Sequence, residues 1–289
     1  MTGVVDPATS SSHREPALPA AWSDDPFLLE QRRWWRPEQV RVSGDALLLI
    51  QRAAGTARAP GGRAASGTPG RTMLAALGPA EPAAALLREH GDASHRYAWV
   101  STEALGLLRP AEVQRLGLVP ARTGWEWMVT TSAPPALAGE AWVTELDPVR
   151  DAEAIRACLA EANPTTDADP SVPGERWWGC ADPSAADAAD PGPGSSRGRV
   201  RLTGVIGASP RTGRTDTRRA AHLHGLGVRP GERGRGLGAA LTAAAVRALL
   251  ADGADWVSLG MWDDNDGARR IYERLGLRTL HRLTTLRRP

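Results

Sequence analysis

The sequence predicts a mixed α/β fold composed of two units. Apolar runs of about four to eight residues, the length of a strand, alternate with segments in which apolar residues recur at helical spacing. A proline- and alanine-rich stretch at 133–140 separates two groups of such elements and is typical of a linker. With 289 residues, the chain is long enough for two ordinary domains.

The first unit is expected at 22–132, after a lead-in at 1–21 that is rich in Ser, Pro and Ala. The lead-in lacks a charged start followed by an apolar run, so we expect disorder and no signal peptide. Pro110 suits the first turn of a helix. The predicted strands are 46–51, 72–77, 97–100 and 125–130, the helices are 80–89 and 109–116, and a mobile loop is predicted at 53–71. This unit shows no obvious catalytic motif.

The second unit is expected at 141–289. Asp147 can cap a helix that has Pro148 in its first turn, and Gly253 and Gly276 each end a helical segment. The predicted strands are 141–146, 176–180, 200–208, 221–228, 256–262 and 278–286, and the helices are 148–162, 237–252 and 265–275. A disordered low-complexity excursion is predicted at 181–199 and a polar loop at 209–219. No internal repeat is evident between the two units.

Composition excludes several classes of function. The sequence contains no lysine, so a lysine Schiff base and a Walker-type phosphate loop are both excluded. A formal net charge of +2 gives no reason to expect nucleic acid as a partner. The two cysteines, Cys158 and Cys180, lack metal-ligand spacing, and no apolar stretch is long enough for a membrane span. We therefore expect a cytoplasmic protein without a metal site.

The most informative segment is 228–238, which reads Val-Arg-Pro-Gly-Glu-Arg-Gly-Arg-Gly-Leu-Gly and is followed by a helix rich in alanine and leucine. Glycines let the backbone approach phosphate oxygens, and the free N–H groups of a first helical turn point at them. Arg233 and Arg235 add positive charge and bidentate donors. The segment predicts a site for a phosphorylated cofactor.

Over roughly 141–286 the chain resembles the GNAT superfamily of acyl-CoA-dependent N-acyltransferases. One motif is the R-x-x-G-x-G type turn at 233–238, which follows a strand ending in Val228. The other is 265–277, with Asn-x-x-Ala, then Tyr272, then Leu-Gly-Leu. The two motifs stand in the order and at the separation found in that family, which makes the joint match far more specific than either motif alone.

The resemblance implies a splayed, mostly antiparallel sheet with coenzyme A bound where two central strands part. Gly225 and Gly227 suit the bulge that such a splay requires. The pantetheine arm would pair with backbone at 226–228, and Asn265 would help to hold it. The cofactor-binding residues expected on this basis are Leu226, Gly227, Val228, Arg233, Gly234, Arg235, Gly236, Leu237, Gly238, Ala239, Asn265, Ala268 and Tyr272.

A dinucleotide site is the alternative for the same turn. Gly234, Gly236 and Ala239 also fit G-x-G-x-x-G/A, and Asp263 falls roughly where a ribose-binding acid would be. That fingerprint normally opens a β-α-β domain, whereas this turn follows several strands. It also leaves the Asn265 and Tyr272 motif unexplained, so acyl-CoA is favoured over a nicotinamide cofactor.

The resemblance also implies a mechanism in which an amine attacks the thioester directly in a ternary complex. An amine with a pKa of about 10.4 is neutral to only about one part in 2500 at pH 7, so a base is needed. His222 occupies the strand position at which many relatives carry a glutamate base, and it is the candidate here. The N–H of Val228 would stabilise the developing oxyanion, and Tyr272 would protonate the departing thiolate.

Several of these residues have simpler alternatives. His222 and His224 share a strand face and would suit a metal, but no third ligand is evident. Asp263 and Asp264 are expected to cap the following helix rather than to contact substrate. The loop arginines Arg211, Arg214, Arg218 and Arg219 are expected to be solvated, and the tryptophans Trp34, Trp35, Trp125 and Trp127 to lie in the core or at a domain interface.

The sequence thus predicts transfer of an acetyl group from acetyl-CoA to a primary amine of a small molecule, peptide or protein. The alternative is a catalytically silent acyl-CoA-binding regulatory or interaction protein. The first unit is either a degenerate acyltransferase-like domain or a module that recognises substrate, and a homodimer is compatible with the sequence.

Overall fold

The computed structural model describes residues 16–31, 37–52, 72–181, 201–212 and 218–289. The elements of the first half are α1 (Ala20–Ser23), α2 (Pro26–Gln31), β1 (Pro37–Ser43), β2 (Ala46–Arg52), β3 (Thr72–Leu77), α3 (Ala80–His90), β4 (Tyr97–Ser101), α4 (Thr102–Gly106), α5 (Pro110–Leu116), β5 (Val119–Pro120) and β6 (Trp125–Thr130). Those of the second half are β7 (Val143–Leu146), α6 (Ala152–Ala162), β8 (Arg176–Ala181), β9 (Leu202–Thr212), β10 (Arg219–Val228), α7 (Leu237–Ala251), β11 (Trp256–Trp262), α8 (Asp266–Arg274) and β12 (Arg278–Arg287).

The strands of both halves form one mixed sheet. Its order is β1-β2-β3-β4-β12-β6-β11-β10-β9-β8-β7, and β5 pairs beside this path with β12. Two neighbouring pairs on this path, β3 with β4 and β10 with β11, are parallel, and the others are antiparallel. Each parallel pair is connected by a helix, α3 or α7, as a parallel connection requires. The predicted mixed α/β fold is confirmed.

The two halves repeat the same connections and exchange their last strands. Strands β1-β2-β3 and β8-β9-β10 are antiparallel runs, and each run continues through a helix into a parallel partner. Strand β6, from the first half, then pairs with β11 of the second, while β12 pairs with β4 of the first. Strands β6 and β12 lie side by side between the halves. This repeat is not visible in the residue pattern of the chain.

Helices cover both faces of the sheet. On one face, α3, α4 and α5 pack on the first half, and α7 and α8 pack on the second. On the opposite face, α1 and α2 pack under the central strands beside a cluster that contains Phe27, Trp99, Trp125 and Trp127, and α6 packs under β8 and β9. Trp125 and Trp127 are core residues as predicted, and Trp34 and Trp35 lie outside the described residues.

Most predicted elements are present within a few residues of their predicted ends. Strands 72–77, 125–130 and 256–262 have the predicted bounds. The helix expected to start at Pro148 starts at Ala152 instead, because Asp147 accepts the N–H groups of Val149 and Arg150 and forms a turn. Helices α1 and α2 and strand β1 were not predicted, and α1 begins at Ala20, inside the expected lead-in.

Two further expectations concern segments outside the described residues, the loop at 53–71 and most of the excursion at 181–199. Within the described part of the chain, no helix is both long and apolar enough to cross a membrane.

Candidate active site

A cleft opens where β10 and β11 stop pairing. Their parallel register ends at the pair Leu223–Leu259, although β10 continues to Val228 and β11 to Trp262. On its other side, β10 shifts register against β9 between His224 and Gly227. Gly225 has a φ of 62°, a conformation that glycine adopts without strain. The bulge predicted in this region is therefore present, and it bends β10 away from β11.

The orientation of the backbone along this cleft can be read from its hydrogen bonds. The N–H of Arg229 donates to the carbonyl of Thr203 on β9 at 2.9 Å. Because successive peptide groups of a strand point to opposite sides, the N–H of Val228 and the carbonyl of Leu226 point into the cleft. The Leu226 carbonyl already accepts the side-chain amide of Asn163 at 3.1 Å. Val228 is thus a backbone donor on the cleft side, as its predicted role requires.

Two glycines shape the turn between β10 and α7. Gly234 and Gly236 have φ of 80° and 78°, and no atom lies within 4 Å of the position that a Cβ would take at either one. The first hydrogen bond of α7 joins the N–H of Ala240 to the carbonyl of Gly236 at 3.0 Å. The N–H groups of 237–239 therefore have no acceptor inside the helix and point out of its N-terminus. The turn therefore combines open space with backbone N–H groups that have no acceptor in the helix. These are the features that a binding site for an anionic group requires.

The arginines of the turn are already engaged with protein atoms. Arg233 donates to the carbonyl of Val228 and to that of Ala162, both at 3.1 Å. Arg235 forms an exposed ion pair with Glu232. The structure therefore differs from the expectation of two guanidinium groups free to grip phosphate. Arg233 ties the turn to β10 and α6, while an exposed pair such as that of Arg235 is weak and can exchange partners.

A cavity of about 370 Å³ lies in the cleft and is lined from both faces of the sheet. This volume falls within the range of small-molecule sites. Among the predicted site residues, five line it: His222, Leu226, Asn265, Ala268 and Tyr272. The predicted residues Gly227, Val228 and 233–239 lie outside this lining.

Helix α8 presents the second motif to the cavity. The side-chain oxygen of Asn265 accepts the N–H of Ala268 at 3.1 Å and caps the helix. Asn265 is therefore the cap, and the expectation that Asp263 or Asp264 has this role is wrong. One turn further along, Tyr272 is buried, and this burial raises the pKa of its phenol to about 12. The hydroxyl consequently stays protonated and remains a donor at neutral pH.

Helix α8 is tied to β6 of the first half through a buried carboxylate. Glu126 accepts from Arg269 of α8 at 3.1 Å and from Arg282 of β12 at 3.3 Å, and it also accepts the hydroxyl of Thr279 at 2.5 Å. Because an unpaired buried charge is costly, this set of partners fixes the position of α8 relative to the central strands.

His222 lies in a polar cluster under the cavity. Its Nδ1 is 2.8 Å from the hydroxyl of Ser258, its neighbour on β11, and 3.5 Å from a carboxylate oxygen of Glu30 on α2. All three residues are buried. Because Nδ1 is engaged on the interior side and His222 lines the cavity, Nε2 is the ring nitrogen available to a molecule in the cavity.

His224 has different surroundings. It stands edge-on to Trp177 at 5.6 Å, and its Nε2 is 3.3 Å from Glu175, which also accepts the hydroxyl of Ser209 at 2.8 Å. His222 and His224 therefore turn to different carboxylates. Among the described residues no group of three or more His, Cys, Asp or Glu side chains could hold a metal ion.

The predicted arginine loop is only partly described. Arg218 pairs with Asp24 at 2.9 Å, and the N–H of Arg219 donates to Asp255 at 2.7 Å. Arg218 and Arg219 are exposed, as expected of a solvated loop, and Arg214 lies outside the described residues.

Sequence reasoning missed the residues that reach the site from distant elements. Asn163 ends α6, Ser258 lies on β11, and Glu30, Arg122 and Trp125 come from the first half. Arg122 stacks over the ring of Trp262 at 4.2 Å on the cavity wall. The available signal was the rarity of a carboxylate inside the apolar run Phe-Leu-Leu-Glu at 27–30, because an acidic residue in such a run needs a buried partner.

Comparison with known proteins assigns part of the second half to a family. Residues 155–277, within the unit expected at 141–289, match the model of the Acetyltransferase (GNAT) family. A stretch of 64 residues is 44% identical to the mycothiol acetyltransferase of Nocardiopsis dassonvillei, and a stretch of 54 residues is 50% identical to that of Streptomyces avermitilis. These stretches are 22% and 19% of this chain and only 19% and 18% of the relatives. The match thus spans about a fifth of the relatives' length.

Solved structures of the same family name are similar over more of the chain. A GCN5-related N-acetyltransferase from Kribbella flavida is 19% identical, with a TM-score of 0.44 over 87% of this chain and 89% of its own. A tandem GNAT protein from the clavulanic acid biosynthesis pathway is 15% identical, with a TM-score of 0.44 over 85% of this chain and 83% of its own.

A GNAT-family domain at 155–277 implies acetyl-CoA as the acyl donor of that domain and an amine as its acceptor. The family match contains β8–β11 and α6–α8, the elements that form the cleft, its glycine turn and the Tyr272 helix. Residues 155–277 of this chain therefore form a domain of the GNAT acetyltransferase family.

Proposed function

We propose that the protein transfers an acetyl group from acetyl-CoA to a primary amine by direct attack in a ternary complex. The observation that carries this proposal is the parting of β10 and β11 after Leu223, with a backbone N–H of Val228 directed into the gap. A parted parallel pair exposes strand backbone that an extended amide-containing arm can pair with, as β-augmentation does in other proteins.

The residues present suit coenzyme A. At the turn, Gly234 and Gly236 leave open space that a larger side chain would fill. The N–H groups of 237–239 supply donors for the pyrophosphate. In the cleft, Asn265 lines the cavity, and the N–H of Val228, just outside that lining, would pair with the pantetheine arm. The acetyl group would then lie in the cavity between His222 and Tyr272.

Each step of the reaction then has a candidate group. His222 takes the proton of the attacking amine at Nε2, directly or through a water. The Val228 N–H donates to the thioester oxygen as negative charge develops on it. Tyr272 donates a hydrogen bond to the departing sulfur. Its pKa of about 12 lies above that of an ordinary thiol, so full proton transfer is favoured only where the dry site raises the thiol pKa as well.

The first half contributes to the acceptor side in this proposal. Arg122 and Trp125 line the cavity from the loop before β6 and from β6 itself. In the described part of the same half, β3 and β4 do not part as β10 and β11 do, because they pair along nearly their whole length, up to Ala76–Val100. We therefore propose that the first half is a copy of the fold that no longer binds cofactor and instead completes the wall of the active site.

Calorimetric titration with acetyl-CoA, CoA and NAD tests the cofactor site. Gly236→Trp should lose binding of both CoA ligands, because the side chain fills the open turn. Gly44→Trp is the matched control: Gly44 also has positive φ, at 53°, and open space around its Cβ position, but it lies in the hairpin between β1 and β2. Binding retained by Gly44→Trp and lost by Gly236→Trp supports the proposal, whereas binding of NAD alone would contradict it.

Turnover on a panel of small amines, amino acids, peptide N-termini and protein lysines separates the enzyme from the silent acyl-CoA-binding alternative. Release of CoA that depends on an added amine supports transfer. Tight CoA binding without turnover on any amine would favour the regulatory alternative instead.

A further inference from the structure

Glu30 is a buried acid of the first half that the reaction described so far does not use. It lies on α2, 4% exposed, beneath β10 and β11. One of its carboxylate oxygens accepts the indole N–H of Trp256 at 2.7 Å. The other makes no hydrogen bond within the described structure and lies 3.5 Å from Nδ1 of His222. A carboxylate oxygen buried without a hydrogen bond is costly unless it faces positive charge.

The ring of His222 is held between α2 and β11. Ser258 is fully buried, and its hydroxyl is 2.8 Å from Nδ1, so that the hydroxyl orients the ring while the carboxylate lies near the same nitrogen without a hydrogen bond. Both contacts are on the nitrogen that faces the interior, which leaves Nε2 for the cavity. A carboxylate beside the far nitrogen of a catalytic histidine stabilises the imidazolium that forms when the near nitrogen takes a proton.

The other charged or titratable groups around His222 do not duplicate this role. In the cavity wall these are Arg122, Asp167, His224 and Tyr272. His224 faces Glu175, and the guanidinium of Arg122 lies over Trp262. Glu30 is, within the described structure, the acidic side chain with an oxygen inside 4 Å of a His222 ring nitrogen.

We propose that Glu30 is a positioning residue for the transfer reaction: its carboxylate lies beside Nδ1 of His222 and balances the positive charge that His222 gains when Nε2 removes a proton from the amine. This inference rests on the proposed function. With this role for Glu30, both halves contribute residues to the active site. Glu30 precedes His222 by 192 positions and lies outside the family match at 155–277.

The proton inventory of the step is simple. The amine proton moves to Nε2 of His222, the C–N bond forms, the C–S bond breaks, and the thiolate regains a proton from solvent or through Tyr272. Glu30 neither gains nor loses a proton in this step. Its effect is electrostatic, which is why a neutral isostere removes it while preserving shape.

The test compares two amide substitutions of histidine-contacting acids in the same N-terminal segment. Glu30→Gln keeps an oxygen for Trp256 and removes the charge beside His222. Asp25→Asn is the matched control, because Asp25 also pairs with a histidine, His281, at 3.0 Å, but lies outside the cavity lining. The readouts are kcat/KM against pH, binding of acetyl-CoA, and the NMR titration of ring resonances in histidine-labelled protein.

We expect Glu30→Gln to lower kcat/KM about tenfold or more on the plateau. The acidic limb of the profile should move to lower pH, because the imidazolium loses its stabilising charge. The His222 resonance should titrate at correspondingly lower pH, and affinity for acetyl-CoA should stay unchanged. Asp25→Asn should change neither the limb nor the His222 resonance. A Glu30→Gln protein with the wild-type limb and the wild-type His222 titration overturns the inference.

Two further arms keep the test decisive. If Glu30→Gln fails to fold, Glu30→Asp keeps the charge but withdraws it by one methylene, and a limb identical to wild type then overturns the inference. If the His222 resonance shifts in Glu30→Gln but the wild type acetylates no amine, the Glu30–His222 contact stands and it is the proposed transfer reaction that is contradicted.

Discussion

The two halves share their strand connections and differ at one turn. In the first half, β3 passes into α3 through Gly78 and Pro79, and a Cβ at Gly78 would lie 2.6 Å from the carbonyl oxygen of Asp45. In the second half, β10 passes into α7 through residues 229–236, and the space at Gly236 is open. The first turn is packed against backbone, whereas the second has open space around Gly236.

The strands next to these turns differ in the same sense. In the first half β3 and β4 stay paired to Ala76–Val100, one residue before both strands end, while β10 and β11 separate after Leu223–Leu259. A short, packed turn and a closed strand pair go together, as do a long turn and a cleft. The comparison teaches that the fold by itself supplies no site, and that a few residues at one strand end create it.

The largest expected effect comes from separating the halves. Strand β6 is buried throughout between β11 and β12. A fragment 133–289 therefore lacks the strand that lies between its own strands β11 and β12. We expect this fragment to aggregate or unfold and to lose acetyl-CoA binding. Co-expression of 1–132 and 133–289 as two chains should restore both properties. Circular dichroism tests whether the fragment folds, and calorimetry tests whether it binds acetyl-CoA. A fragment 133–289 that folds and binds CoA on its own would contradict this prediction.

The next largest effect is expected from Val228→Pro, which removes the N–H that points into the cleft and that β9 does not use. Proline is tolerated in a strand where the N–H has no ladder partner. Turnover should fall about 100- to 1000-fold, the usual cost of losing one oxyanion donor. Val228→Ala retains the N–H and should keep turnover within a few-fold of the wild type. Equal losses in both variants would assign the effect to packing.

The only two tyrosines of the chain provide a matched pair, one in each half. Tyr272→Phe should lower kcat about 10- to 100-fold while acetyl-CoA still binds, because a protonated donor at the leaving sulfur is lost. Tyr97, on β4, accepts the indole N–H of Trp99 at 3.0 Å, and Tyr97→Phe should cost stability but not turnover. Undiminished turnover of Tyr272→Phe would remove this tyrosine from the mechanism.

Alkaline stability should also depend on Tyr272. Its pKa is raised from 10 to about 12 in the folded protein, so the phenol is protonated in both folded and unfolded states below about pH 10. Above that pH the unfolded chain ionises first, and the free energy of unfolding should fall by up to about 1.4 kcal/mol per pH unit, about 3 kcal/mol by pH 12. Denaturant melts should show a smaller decline for Tyr272→Phe; the same decline in both proteins would contradict this.

The smallest expected effect concerns the cysteines, both of which lie in the second half. Burial raises the pKa of both thiols, that of Cys180 to about 11. At about pH 8 the Cys180 thiolate is therefore rarer than that of an ordinary thiol by a factor of about 100 or more. Neither cysteine should react with a thiol reagent on the timescale at which the unfolded chain does. Rapid native labelling of Cys158 would show that the packing of α6 on the sheet opens, and rapid labelling of Cys180 would show the same for the opposite face.

Local elements could be predicted because each one is determined by its own residues. The strand 125–130 and the glycine turn at 233–238 follow from apolar spacing and from the need for positive φ, and both are where the sequence indicates. Asn265 as the helix cap, in contrast to the predicted Asp263 or Asp264, shows that three adjacent polar residues cannot be ranked without the backbone angles that only the fold defines.

Pairings between distant segments could not be predicted, since no local pattern determines them. Nothing in 125–130 indicates that this strand lies against β11 instead of its own half, because a fully buried strand can pair with any apolar neighbour. Likewise Asn163 and Glu30 join the candidate site only through contacts with Leu226 and His222, which are 63 and 192 positions away. The sequence therefore indicated the parts of the candidate site that are contiguous in the chain. It did not indicate the parts that are assembled from distant segments.

The exchange of β6 and β12 has a consequence for the order in which a ribosome can complete this molecule. Strand β6 leaves the exit tunnel well before the two strands that will flank it, and β11 begins 126 residues later, from residue 130 to residue 256. At common translation speeds that interval is about ten seconds. During it, the nascent chain carries an apolar strand with both edges open, which is a substrate for chaperones and a hazard for aggregation. Slow codons between these strands would lengthen that exposure without changing a single amino acid.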